Sequence, residues 1–218
     1  MADAPLERNV ADELFWDPRI VDSNMIAVAA DDAGTITLRG TVGSFRQRRE
    51  AKKAAERVWG VTKVTNDLDV QLLTEHRRED GELRRDVLQA LMLDTLVPTT
   101  IEVGVSDGLV TLTGSVDWQY QREEAEFIAG NVRGVTGVEN DVYLAWPTPS
   151  VGDVQQSIKK ALERDAKLDA DNLVVASSDG TVTLRGSVRS WSEHDAAVGA
   201  AWAAPGVRTV HDHLTVSY

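Results

Sequence analysis

A chain of 218 residues with 42% hydrophobic and 27% charged residues has an ordinary globular composition and room for one, two or three small domains. The absence of cysteine excludes a disulfide framework, a thiolate nucleophile and cysteine-built zinc or iron–sulfur sites. With 23 Lys and Arg against 35 Asp and Glu, the net charge of −12 repels nucleic-acid phosphate, so no nucleic-acid partner is expected, and attraction to anionic lipid must come from a local patch.

The opening stretch MADAPLERNVADEL carries acidic residues where a signal peptide needs a basic segment and a long apolar run. The longest uncharged stretch, residues 196–207, falls short of the roughly 20 residues that span a bilayer. A cytoplasmic protein that does not span a membrane is therefore expected. Leu6, Val10 and Leu14 then form the i, i+4, i+8 stripe of an amphipathic helix that stops near Asp17. Two alternating runs follow, Ile26-Val28 and Ile36-Leu38, which read as a β-hairpin. Within its second strand, residues 35–42, Ile36, Leu38 and Val42 share one face, while Thr37 and Arg39 point the other way. A second helix starts at the capping box SFRQ on Ser44 and buries Ala51, Ala54, Ala55 and Val58. It is expected to end with Gly60 at its C′ position, before a closing strand from Val64 to Val70.

The same order then repeats. GTITLRGTV at Gly34 returns as GLVTLTGSV at Gly108 and as GTVTLRGSV at Gly180, at spacings of 74 and 72 residues. Gly40, Gly114 and Gly186 recur inside that string, and Gly60, Gly134 and Gly206 recur after the second helix. The first-helix stripe returns as Leu83, Val87 and Leu91 and as Val154, Ile158 and Leu162, and a second capping box, SWSE, opens at Ser190. Residues 74–82 (TEHRREDGE) and 146–153 (WPTPSVGD) read as linkers. The expected architecture is α+β: three tandem α-β-β-α-β repeats, each a small three-stranded mixed sheet covered on one face by two helices. Their expected bounds are 1–73, 80–146 and 151–218.

The hairpin motif G-x-[IV]-T-L-x-G-[ST]-V, the helix with paired alanines and the G-V-x-x-V that leads into the closing strand resemble the BON (bacterial OsmY and nodulation) domain, in three copies over nearly the whole chain. The resemblance implies α+β modules that are not enzymes, need no cofactor, bind phospholipid or envelope surfaces and often serve in osmotic-stress proteins.

Candidate contact residues lie on the outer faces of the second helices. In copy one Arg46, Arg49, Lys53 and Arg57 fall at i, i+3, i+7 and i+11, a basic stripe facing away from the alanine side. It suits lipid phosphates or an acidic partner, and equally a plain solvated helix face. Copies one and three carry about −2 each and copy two −8. At the stripe's positions copy two has Tyr120, Glu123, Phe127 and Asn131. Tyr120 and Phe127, with Trp202 of copy three, lie off their helices' small-residue faces and are expected to contact a neighbouring repeat or a partner. His211 and His213 share a strand face, but no third ligand accompanies them, so they read as solvent-facing and no metal is expected. Ser192 near His194 lacks the strand–elbow setting that activates a nucleophile. The expected function is attachment to phospholipid head groups at the inner face of the membrane; a cytosolic scaffold for protein partners is the alternative.

Overall fold

The computed structural model describes residues 4–145, 173–204 and 206–217, together with residues 156, 158, 160 and 161. Two compact units divide the chain: Met1–Val116 with Gln121–Tyr143, and Asp117–Tyr120 with Leu144–Tyr218. Copy one comprises α1 (Ala4–Trp16), β1 (Ile26–Ala30), β2 (Thr35–Val42), α2 (Phe45–Glu56) and β3 (Lys63–Val70). Copy two comprises α3 (Asp80–Leu93), β4 (Ile101–Ser106), β5 (Leu109–Val116), α4 (Gln119–Ala129), β6 (Gly137–Asn140) and β7 (Tyr143–Leu144). Copy three supplies β8 (Leu173–Ser178), β9 (Thr181–Val188), α5 (Trp191–Trp202) and β10 (Thr209–Val216). Of its first helix, Gln156, Ile158, Lys160 and Ala161 are helical and Ile158 is fully buried; Val154 and Leu162 lie outside the described residues.

In copy one β1 and β2 pair antiparallel with Ile26 opposite Gly40, while β2 and β3 pair parallel with Ile36 opposite Val64. A parallel neighbour cannot be reached by a tight turn, and α2 makes the crossover. Copies two and three repeat the pairing, with Ile101 opposite Gly114 and Leu173 opposite Gly186. Alternation along β2 buries Ile36, Leu38 and Val42 and leaves Arg39 exposed. Onto that face pack Leu6, Val10 and Leu14 of α1 and Ala51, Ala54 and Ala55 of α2, all in one core. Side chains no larger than alanine let α2 lie close to the sheet.

The two N-caps form as the sequence requires: the Ser44 and Ser190 hydroxyls accept the N–H groups of Gln47 and Glu193, each at 3.2 Å. The helix C-terminus differs from expectation. α2 stops at Glu56, and the Arg57 N–H reaches the carbonyls of Ala54 and Ala55. Gly60 instead occupies the turn beyond, closed by the Val61 N–H on the Val58 carbonyl at 3.2 Å, with φ +94°. That place in the turn needs a left-handed residue, which explains the glycine without a C′ role. The closing strand of copy two also differs, being broken into β6 and β7, both paired with β5. At the break the Asp141 N–H donates to the Leu112 carbonyl at 2.8 Å. Gly40 and Gly114 are fixed by crowding: at φ +125° and +110°, a Cβ on either would run into the carbonyl oxygen of Met25 or Thr100 at the entry to the first strand.

Candidate functional site

The outer face of α2 does not stand free as a four-residue stripe. Arg49 donates from Nη2 to Asn131 Oδ1 at 2.7 Å, and its guanidinium carbon lies 4.6 Å from the centroid of the Phe127 ring. Both partners belong to copy two, at the end of α4. Gly130 makes room for this contact, since a Cβ there would sit 2.9 Å from Phe45 Cδ1 and 3.0 Å from Arg49 Nη1. Partial burial lowers the pKa of Arg49, against the opposing pull of Glu50 and Glu126. The seat is specific to this pair of copies, because the residues matching Phe127, Gly130 and Asn131 are Lys53, Glu56 and Arg57 in copy one and Gly199, Trp202 and Ala203 in copy three.

Arg57 is held within copy one. Its Nε donates to Glu13 Oε1 at 2.9 Å and its Nη2 to Asp17 Oδ2 at 2.7 Å. Asp17, with a side chain only 2% exposed, also accepts Arg19 Nε at 2.8 Å and Nη2 at 2.6 Å, and Arg19 Nη1 lies 2.7 Å from the buried Glu50 carboxylate. The Arg19 hydrogen bonds, assisted by Arg57, hold the Asp17 carboxyl well below the usual carboxylate range. This network ties the end of α1 to α2. Arg46 and Lys53 are the exposed members of the stripe with no ion pair among the described residues, whereas Arg57, also exposed, is paired with Glu13 and Asp17.

The aromatic positions diverge. Phe127 lies under Arg49, Tyr120 is half exposed in the first turn of α4, and Trp202 is half-buried against copy three's own core. His211 and His213 are exposed on the sheet face opposite Val210 and Leu214, which pack into the core. Among the described residues no group of three His, Asp or Glu is placed to hold a metal. A polar cleft of about 590 Å³ opens beside the hairpin turn of copy two. Of its three acidic residues, Glu79, Asp80 and Asp107, Asp80 is committed to the Asp107 and Gly108 N–H groups at 2.9 and 3.1 Å.

One surface was missed by the sequence reading. α1 ends in Phe15 and Trp16, 60% and 77% exposed, their rings edge to face at 5.3 Å, and Val21 and Met25 follow with 59% and 58% exposure. At the same place in copy two, α3 ends in Met92 and Leu93, 78% and 77% exposed, with Leu96 beyond. The signal was available, because the offset of 77 that relates the two first helices also relates Phe15-Trp16 to Met92-Leu93.

The BON domain model matches residues 2–71, 79–145 and 150–218. Osmotically-inducible protein Y of Escherichia coli (strain K12) is 37% identical over 127 residues, 56% of this chain and 63% of that protein, so the match spans less than two thirds of that relative. Two solved structures of CdsD, a structural protein of the type III secretion system of Chlamydia trachomatis, align at 13% identity. One covers 96% of this chain and 91% of that chain with a TM-score of 0.26; the other, a C-terminal domain, covers all of both with a TM-score of 0.28. Three matched stretches that tile nearly the whole chain, on a helix–hairpin–helix–strand unit repeated with its glycines in register, make this chain a member of the BON domain family.

Proposed function

We propose that this is a non-catalytic, stress-associated attachment protein that settles peripherally on a phospholipid surface, at the cytoplasmic face of the inner membrane. The observation that carries the reading is the pair of exposed apolar helix ends, Phe15-Trp16 with Val21 and Met25 in copy one and Met92-Leu93 with Leu96 in copy two. Soluble proteins rarely leave such clusters uncovered, and Trp and Phe favour the head-group boundary of a bilayer. Each large aromatic ring brings about 150–250 Å² of surface to such a contact. Arg46 and Lys53 add charge attraction to anionic head groups, while Arg49 and Arg57, already engaged by partners of this chain, add little. No described helix is long and apolar enough to cross a membrane, so attachment through these helices is peripheral. The stress association rests on kinship with the osmotically inducible relative.

Co-sedimentation with phosphatidylglycerol-containing and with purely phosphatidylcholine vesicles tests this. The wild type should sediment with both, more with the anionic vesicles at low salt. Phe15→Ser with Trp16→Ser should weaken binding to either vesicle, whereas Arg46→Glu with Lys53→Glu should remove only the salt-sensitive part. A wild type that stays in the supernatant at low salt overturns the lipid assignment and leaves the same apolar ends to a protein scaffold.

A further inference from the structure

Each copy ties the first turns of its second helix to its closing strand at the same place. In copy one Arg48 Nη2 donates to the Asn66 carbonyl at 3.2 Å, and Asn66 Nδ2 donates back to the Arg48 carbonyl at 2.7 Å. In copy two Arg122 and Asn140 make the same exchange at 2.8 and 3.0 Å. At the matching positions copy three has His194 and Asp212, with Nε2 and Oδ2 at 2.7 Å. The strand residue's other duty is unchanged: Oδ1 of Asn66, Asn140 and Asp212 accepts the N–H two residues on, from Leu68, Val142 and Leu214. One latch therefore exists in three versions. Guanidinium and amide groups do not titrate near neutrality, and imidazole does.

The surroundings of His194 favour its charged form. Its side chain is 15% exposed. From β10 it faces the Asp212 carboxylate; from its own helix the Asp195 carboxylate lies 3.2 Å from Nδ1 and the Trp191 ring lies 4.9 Å away. Glu193 is turned back to the Arg189 N–H. The side of β9 under the helix presents Val182, Leu184 and Val188, none of which titrates. Both ring nitrogens thus have a carboxylate, and only the imidazolium can donate to both.

We propose that copy three carries a proton-operated latch: protonated His194 clamps α5 to β10 through Asp212, and its deprotonation loosens copy three alone, while the Arg–Asn latches keep copies one and two closed. The Asp195 hydrogen bond and the Asp212 charge raise the His194 pKa despite its partial burial. A raised folded-state pKa gives stability that is complete below about pH 6.5 and is lost as pH rises through the folded value. The device therefore opens in the alkaline direction. It converts a rise in pH into mobility of one of three otherwise similar modules.

Amide hydrogen exchange of the full chain, corrected for intrinsic rates, reads this directly. Between roughly pH 6 and pH 8.5, protection in α5 and β10 should fall several-fold while α2, β3, α4 and β6 hold theirs. His194→Arg with Asp212→Asn, which copies the chemistry of the other two latches, should flatten the response. A loss shared by all three copies, no loss at all, or a loss that survives the paired substitution overturns the proposal. Should that variant fail to fold, NMR titration of His194 in the wild type decides. A midpoint above the ordinary imidazole value of about 6.5 supports the latch, and one at or below it refutes the latch.

Discussion

Asp17→Asn should be among the most damaging single-charge changes in copy one. The carboxylate is 2% exposed and accepts three hydrogen bonds from Arg19 and one from Arg57, while Arg19 also holds the buried Glu50. An asparagine amide has one acceptor oxygen and no charge, so it leaves two guanidinium groups and Glu50 with poorer company. Breaking a buried pair costs about 3–5 kcal/mol. Arg19 and Arg57 are 44% and 43% exposed, so water recovers part of that, and a net cost of about 2–3 kcal/mol follows. For a domain of this size each kcal/mol moves the melting temperature by about 4–8 °C, so calorimetry at pH 7 should show a drop of about 8–24 °C in the transition that contains copy one. Asp94→Asn is the internal control. Asp94 holds the matching place in copy two, but its Oδ1 takes only the Leu96 N–H at 2.7 Å, a bond that an asparagine Oδ1 also accepts, so the change should cost less than about 1 kcal/mol. The pH dependence has a definite sign. A carboxyl whose pKa is depressed by folding contributes stability above its unfolded value of about 4 and loses it as pH falls below. Wild-type protein should therefore weaken steeply under acid, and the Asp17→Asn protein less so. If the two substitutions cost the same, or the acid slopes coincide, the network does not hold α1 to α2.

Further substitutions test the rest of the fold. Gly114→Ala should cost about 2–3 kcal/mol in urea unfolding, because φ is +110° and the Thr100 carbonyl occupies the space of the new methyl; a cost below about 1 kcal/mol would argue against that crowding. Gly134→Val should lower the melting temperature of copy two, since the turn holds φ +104° and Arg78 Cγ lies 3.2 Å from the would-be Cβ; an unchanged melting curve refutes the turn. A double-mutant cycle on Arg49→Met and Phe127→Leu should show a coupling of about 1 kcal/mol across copies one and two, and no coupling if the seat is absent in solution. Chelator-treated and zinc-loaded protein should melt together, and a zinc-induced shift removed by His211→Ala with His213→Ala would reverse that expectation.

The repeat and its elements were legible in the sequence because they depend on local chemistry and on periodicity. Alternation in residues 35–42 and the stripe Leu6, Val10, Leu14 state which faces are buried, and the recurring glycines state where the backbone must turn or be approached. The serines at 44 and 190 announce two helix starts for the same local reason. The fate of the charged residues was not legible. A helical wheel places Arg49 and Arg57 outward from their own helix, and it carries no information on Glu13 and Asp17 arriving from α1 or Phe127 and Asn131 from α4. Likewise the sequence shows that Arg48, Arg122 and His194 correspond, but their partners stand 18 residues downstream and meet them only because the crossover lays the helix over the closing strand. Local pattern decides what each segment becomes; which charges survive at the surface is decided by what the tertiary fold stacks against them.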